Sequence, residues 1–106
     1  MIRALIRSQL AKFERQYDYD MSYGREILDA DLGAFLKFSK LLSFAEHRGA
    51  APPEALHAAK LVSVLGEDCG PCTQLLITMA ERDGVAPEVL RAVMARQPSA
   101  LPPDAQ

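Results

Sequence analysis

Two cysteines, Cys69 and Cys72, are the residues of this chain whose type and spacing could most readily do chemistry. They are its only cysteines, and two thiols three residues apart can close a disulfide with little backbone movement. In a reducing compartment such a pair is more often redox-active or metal-binding than a structural crosslink. We therefore predict a redox dithiol, with half of a zinc site and inert packing of the thiols as the alternatives.

The surroundings of the cysteine pair have opposite effects on the thiol pKa. The apolar pattern predicts a helix over 70–82, and the free N–H groups and dipole at a helix start stabilise a thiolate, the reactive form of cysteine. Glu67 and Asp68 place negative charge nearby, which raises a thiol pKa. For the zinc alternative, His47 and His57 lie ten residues apart and form no recognisable second half of a metal motif.

The elements that must position the dithiol are predicted to be helices. Sixteen Ala and 14 Leu stand against 11 β-branched residues, a balance that favours helix over sheet. Apolar periodicity, capping residues, glycines and prolines predict the following segments: Ile2 to Tyr17, a connector over 17–24 docked by its tyrosines, a short turn at 25–28, a helix capped by Asp29 or Asp31 and reaching Arg48, and helices over 52–65, 70–82 and 87–97.

Short connections between helices imply antiparallel neighbours, so we predict an all-α antiparallel helical bundle. With 106 residues, we expect one helical domain over residues 1–97, with the dithiol core at 54–97. Pro98, Pro102 and Pro103 are expected to end regular structure, leaving residues 98–106 as a mobile tail.

Charge and hydropathy exclude several classes of partner. The formal net charge is −2 and the pI is about 5.6, so the chain offers no basic field for nucleic acid or an anionic membrane. No apolar run approaches the roughly 20 residues that a membrane span needs. No secretory signal is recognisable, and we expect a cytoplasmic protein.

The tetrapeptide Cys69-Gly70-Pro71-Cys72 also occurs in thioredoxins, and the length of the chain is similar to theirs. A thioredoxin-like fold needs a central sheet with the dithiol directly after an early strand. Here the pair lies two-thirds along a chain poor in β-branched residues. A thioredoxin-like disulfide reductase is therefore kept only as an alternative.

A second resemblance covers residues 54–97. Ala58–Leu65 runs into the Cys-Gly-Pro-Cys segment, and Met79–Val85 and Pro87–Val93 follow as helix, Gly-Val turn and final helix. This order resembles the carboxymuconolactone decarboxylase and alkylhydroperoxidase D-like superfamily. The resemblance implies an all-helical protein that is often a homo-oligomer. Longer members continue beyond the point where this chain stops, which suggests a truncated domain.

The resemblance also implies site roles. In its peroxidase branch a His four residues after the second Cys and a Glu twelve residues before the first serve the dithiol, whereas this chain has Leu76 and His57 there. We expect Cys69 and Cys72 to be the catalytic pair, with His57 or Glu67 as a substitute base.

The predicted function is thiol-dependent reduction of a peroxide or disulfide, weakened by the missing His and reset by an external thiol reductant. No cofactor or metal is expected. Decarboxylase chemistry is disfavoured because that branch does not use a dithiol. The alternative from another class is a non-enzymatic helical module that oligomerises through exposed apolar faces.

Overall fold

Six α-helices and two short 3₁₀ helices are the regular elements of the computed structural model, which describes residues 1–106. The helices are α1 (Ile2–Tyr17), α2 (Ser22–Ala30), α3 (Leu32–Ala45), α4 (Pro53–Gly66), α5 (Gly70–Arg82) and α6 (Pro87–Met94), followed by 3₁₀ helices at Pro98–Ala100 and Pro103–Ala105. The all-α prediction is confirmed. The thioredoxin-like alternative is wrong, because that fold needs a sheet and this chain forms no strand.

The helices group into two compact units, residues 1–47 and 48–106. Each unit has its own cluster of buried apolar residues, and the two clusters share no member. The single domain expected over 1–97 stays a prediction. Periodicity identifies the apolar face of each helix but not which faces meet, so it could not separate one core from two.

The first unit packs α1 against α2 and α2 against α3 around Leu10, Met21, Leu28 and Phe35. The Asp31 carboxylate accepts a hydrogen bond from the Ala34 N–H at 2.8 Å, so one of the two predicted caps does begin α3. The helix ends at Ala45, three residues before the predicted end.

The connector between α1 and α2 is shorter than predicted. It covers residues 18–21, because the Asp20 carboxylate accepts from the Ser22 N–H at 2.9 Å and the helix already starts there. The Tyr19 ring lies edge-on to Phe13 and Tyr23, with centroids 6.4 Å apart in both cases. Tyrosine docking of the connector is thus confirmed for Tyr19, while Tyr23 belongs to α2.

Charged side chains also join α1 to α2. Arg25 donates to both carboxylate oxygens of Glu14, and Glu14 also accepts from the Met21 N–H at 3.3 Å. The hydrogen bond from Arg25 holds the pKa of Glu14 below its ordinary value. Arg7 pairs with Asp29 at a more exposed position.

The second unit packs α4 against α5 and α6 around a core that includes Leu61, Ala80 and Leu90. Helices α4 and α5 agree closely with their predicted ranges. A proline occupies the first turn of each of the three helices, where its missing N–H costs no intrahelical bond. Residues 67–69 join α4 to α5 as a short helical hairpin.

The segment 98–106 is built into the second unit. Pro98 and Pro103 each begin a 3₁₀ helix, and Leu101 and Ala105 pack against the core. The prediction that the prolines end regular structure is wrong, because two 3₁₀ helices follow. The mobility expected of residues 98–106 stays a prediction. The fixed φ of proline suits the first position of such a turn, and each turn delivers an apolar side chain to the core.

None of the helices combines the length and the apolar character needed to cross a lipid bilayer.

Candidate functional site: a dithiol at the start of α5

The two cysteines lie together at the first turn of α5. Cys69 is the N-cap residue, Cys72 follows within the first turn, and their Cα atoms are 5.3 Å apart. Their sulfur atoms are joined as a disulfide. The structure thus brings together the pair that the spacing singles out.

Local backbone geometry explains why α5 begins at this pair. Asp68 has a left-handed conformation with φ of 51°, which turns the chain between α4 and α5. The Thr73 N–H and hydroxyl both donate to the Cys69 carbonyl, at 3.0 and 2.9 Å. Cys69 Sγ accepts from the Cys72 N–H at 3.4 Å and so takes the position that a capping oxygen usually occupies.

The dithiol is accessible and lies beside negative charge. Both cysteines are half-buried, whereas Glu67, Asp68 and Pro71 around them are exposed. Glu67 caps the C-terminus of α4 two residues before Cys69, and its carboxylate makes no hydrogen bond or ion pair. Its predicted role as a base therefore stays a prediction, with sequence proximity and a free carboxylate in its favour.

His57 lies elsewhere in the second unit. Its side chain is 1% exposed, and its Nε2 lies 2.7 Å from an Asp83 carboxylate oxygen. Asp83 follows Cys72 by eleven residues, about 16 Å along a helix at 1.5 Å per residue. The structure therefore does not bring His57 to the dithiol. In the α4–α5 hairpin the N-terminal part of α4 contacts the C-terminal end of α5 through His57 and Asp83, whereas the cysteines are at the opposite end.

Leu76 stands one helical turn after Cys72 and packs against the core of the second unit. It offers no atom that could accept a proton from a thiol. Nor do three or more His, Cys, Asp or Glu side chains converge at any point of the chain, so the zinc alternative has no ligand set here.

A groove of about 770 Å³ lies along α4 in the second unit, and sequence reasoning missed it. Its floor is a stripe of small residues on α4, and its walls come from α6 and residues 96–106. No periodic pattern in the sequence predicts this groove, because the groove forms only where the proline-rich segment 98–106 packs back against α4. Neither cysteine lines it.

Comparison of the chain with profiles of known protein families, with curated proteins and with solved structures finds no match. The resemblance to the carboxymuconolactone decarboxylase and alkylhydroperoxidase D-like superfamily therefore stays a prediction.

Proposed function

We propose that this chain is a thiol-dependent oxidoreductase that cycles Cys69 and Cys72 between dithiol and disulfide. The observation that carries the proposal is the bonded pair at the solvent-accessible start of α5. An inert cysteine pair would instead be expected deep in a core, where thiols act as small apolar side chains.

The reaction is balanced with two electrons and two protons. With a disulfide substrate, one cysteine thiolate attacks a substrate sulfur to form a mixed disulfide and releases the first thiol. The second cysteine then attacks the mixed disulfide, which releases the second thiol and leaves the Cys69–Cys72 bond. With a peroxide, the first attack gives a sulfenic acid and an alcohol, and the second releases water.

Cys69 is the better candidate for the attacking thiol. In the reduced protein its sulfur would keep the Cys72 N–H as a donor and would lie at the positive end of α5. Both effects favour the thiolate, while exposed Glu67 and Asp68 oppose it weakly because water screens them. Glu67, two residues before Cys69, carries an exposed carboxylate that could take or return a proton.

The cycle needs an external thiol reductant, which we propose is supplied in a reducing compartment such as the cytoplasm. Leu76 leaves the pair without a neighbouring imidazole, so we expect disulfide reduction to be faster than peroxide reduction. Within the superfamily that the sequence resembles, this would be an alkylhydroperoxidase-like member with weak peroxidase activity.

Turnover with dithiothreitol as reductant tests the proposal, with a small linear disulfide and an organic hydroperoxide as separate substrates. Cys69→Ser and Cys72→Ser should each abolish catalytic turnover, since neither variant can close the internal disulfide. Ser63→Ala, at an exposed position of α4, is the matched control and should keep the full rate. Full turnover by Cys72→Ser would contradict the cycle.

A second candidate function is that of a helical oligomerisation module, and the surface of α3 favours it. Leu41 and Phe44 on this helix are 64% and 79% exposed, and Leu36 and Leu42 are exposed as well. Apolar side chains grouped in this way are typical of a surface that another subunit covers. Light scattering of the wild type and of Phe44→Ser would test it, and a strictly monomeric wild type would contradict it.

A further inference from the structure

The groove beside α4 has the size and lining of a small-molecule site. Its volume of about 770 Å³ falls within the range of known ligand pockets, roughly 300–1,000 Å³. Its walls are mainly apolar, and the residues of α4 that form the floor recur at steps of three and four: Ala55, Ala58, Ala59 and Val62. Small side chains keep this floor open, so an aliphatic chain can lie along it.

One cation lines this groove without a partner. Arg96 makes no ion pair and no side-chain hydrogen bond, in contrast to Arg91, which pairs with Glu88 at 3.1 Å. A guanidinium offers several N–H donors arranged to match a carboxylate. Gln97, the next residue, adds an amide to the same lining.

The backbone fixes Arg96 in this place. Its φ of 54° is left-handed, and hydrogen bonds from the Arg96 N–H to the Val93 carbonyl and from the Gln97 N–H to the Ala92 carbonyl close the end of α6. Glycine adopts this conformation at lower cost than any other residue. The chain nevertheless has a long cationic side chain here, at the rim of the groove.

We propose that the groove binds an amphipathic monocarboxylate, with its aliphatic chain along α4 and its carboxylate on Arg96. Asp104 also lines the groove and makes no ion pair, so a second negative charge on the ligand would be repelled. The class is therefore a singly charged organic anion with an apolar body. Because neither cysteine contributes to the lining, this proposal is independent of the redox cycle.

The test is an NMR titration of the full 106-residue chain with four probes of equal chain length: decanoate, decanol, decyltrimethylammonium and decanedioate. Decanoate should bind saturably, with shifts concentrated at Ala59, Val62 and Leu101. Decanol and decanedioate should bind about tenfold more weakly, because the first lacks the charge and the second carries one charge too many.

Three variants separate the charge from the groove. Arg96→Gln should reduce decanoate affinity about tenfold, to the level of decanol, whereas Arg91→Gln should leave it unchanged. Ala59→Phe, at an exposed position of the groove floor, should abolish binding of both decanoate and decanol, while the far-UV circular dichroism spectrum stays unchanged. The proposal is overturned by absence of saturable binding, by equal affinity for the cationic probe, or by an Arg96→Gln variant that binds decanoate as the wild type does.

Discussion

His57 and Asp83 form a hydrogen bond of 2.7 Å between the second turn of α4 and the residue that caps the C-terminus of α5. The imidazole is buried, the carboxylate side chain is 56% exposed, and the other ring nitrogen, Nδ1, has no partner. A hydrogen bond thus joins the two helices at one end of the α4–α5 hairpin, and the cysteine pair lies at the other end.

This arrangement predicts a structural role for His57. His57→Ala should lower the free energy of unfolding by about 2–4 kcal/mol, because it leaves a cavity and removes a buried hydrogen bond. Asp83→Asn should cost less, about 1 kcal/mol, because the carboxylate is partly solvated. Urea unfolding measures both, with Glu88→Gln in an exposed pair as the control, expected to change stability by less than about 0.5 kcal/mol.

His57→Gln should also leave the reactivity of the dithiol unchanged, since helix geometry separates His57 from the cysteines. The rate of alkylation of the reduced protein under native conditions is the measurement. A rate that falls severalfold while the far-UV spectrum stays unchanged would show that His57 does act on a thiol.

The two thiols should differ in acidity once the disulfide is reduced. Cys69 accepts the Cys72 N–H at the helix start, so its pKa should lie below the ordinary thiol value of about 8.5 and below that of Cys72. The pH dependence of alkylation, measured separately in Cys72→Ser and Cys69→Ser, gives both values. Glu67→Gln should lower the Cys69 pKa further, by less than about one unit, since Glu67 is exposed. Equal, ordinary values for both thiols would favour inert packing.

The first unit should lose stability in acid through Glu14. The Arg25 hydrogen bond lowers the pKa of Glu14 in the folded chain, so its stabilising effect is complete above the ordinary value of 4.5. The effect is lost as pH falls through the lower folded-state pKa. Thermal unfolding should show a smaller drop between pH 6 and pH 3 in Glu14→Gln than in wild type. Glu26→Gln, at an exposed position of α2, is the control and should follow the wild type.

Tyr23 should be the last tyrosine to ionise. Burial, with a smaller effect of the neighbouring Tyr19, raises the pKa of Tyr23 to about 12. Because the folded-state pKa is the higher one, this stabilising effect is present below pH 10 and is lost as pH rises toward 12. A spectrophotometric titration of tyrosinate should contain a late step that Tyr23→Phe removes. Coincident ionisation of all three tyrosines would contradict the packing of Tyr23 against Phe38.

The sequence was sufficient to predict most helices because their signals are local. The prolines at 53, 71 and 87 and the Asp31 cap act within one turn, and these helix starts agree with the structure. The cysteine pair was found for the same reason, since its spacing and its helix start are both local properties. The contact between His57 and Asp83 joins residues 26 apart and has no sequence period, so only the fold reveals it.

The same distinction explains what the sequence did not predict. Pro98 and Pro103 were expected to break structure, yet what they do depends on whether Leu101 and Ala105 find a core, which is a tertiary property. The division into two units depends likewise on which apolar faces meet. Hydrophobic periodicity assigns a face to α3, but the burial of Phe35 and the exposure of Phe44 follow only from the tertiary packing.

The separate apolar clusters of residues 1–47 and 48–106 have a consequence for how a destabilising substitution affects unfolding. A core substitution such as Leu28→Ala removes contacts from one cluster only. Calorimetry of that variant should therefore resolve two melting steps instead of one. The later step should coincide with the melting of the half that carries the cysteines. The half with the Cys69–Cys72 disulfide would then stay folded while residues 1–47 are already denatured.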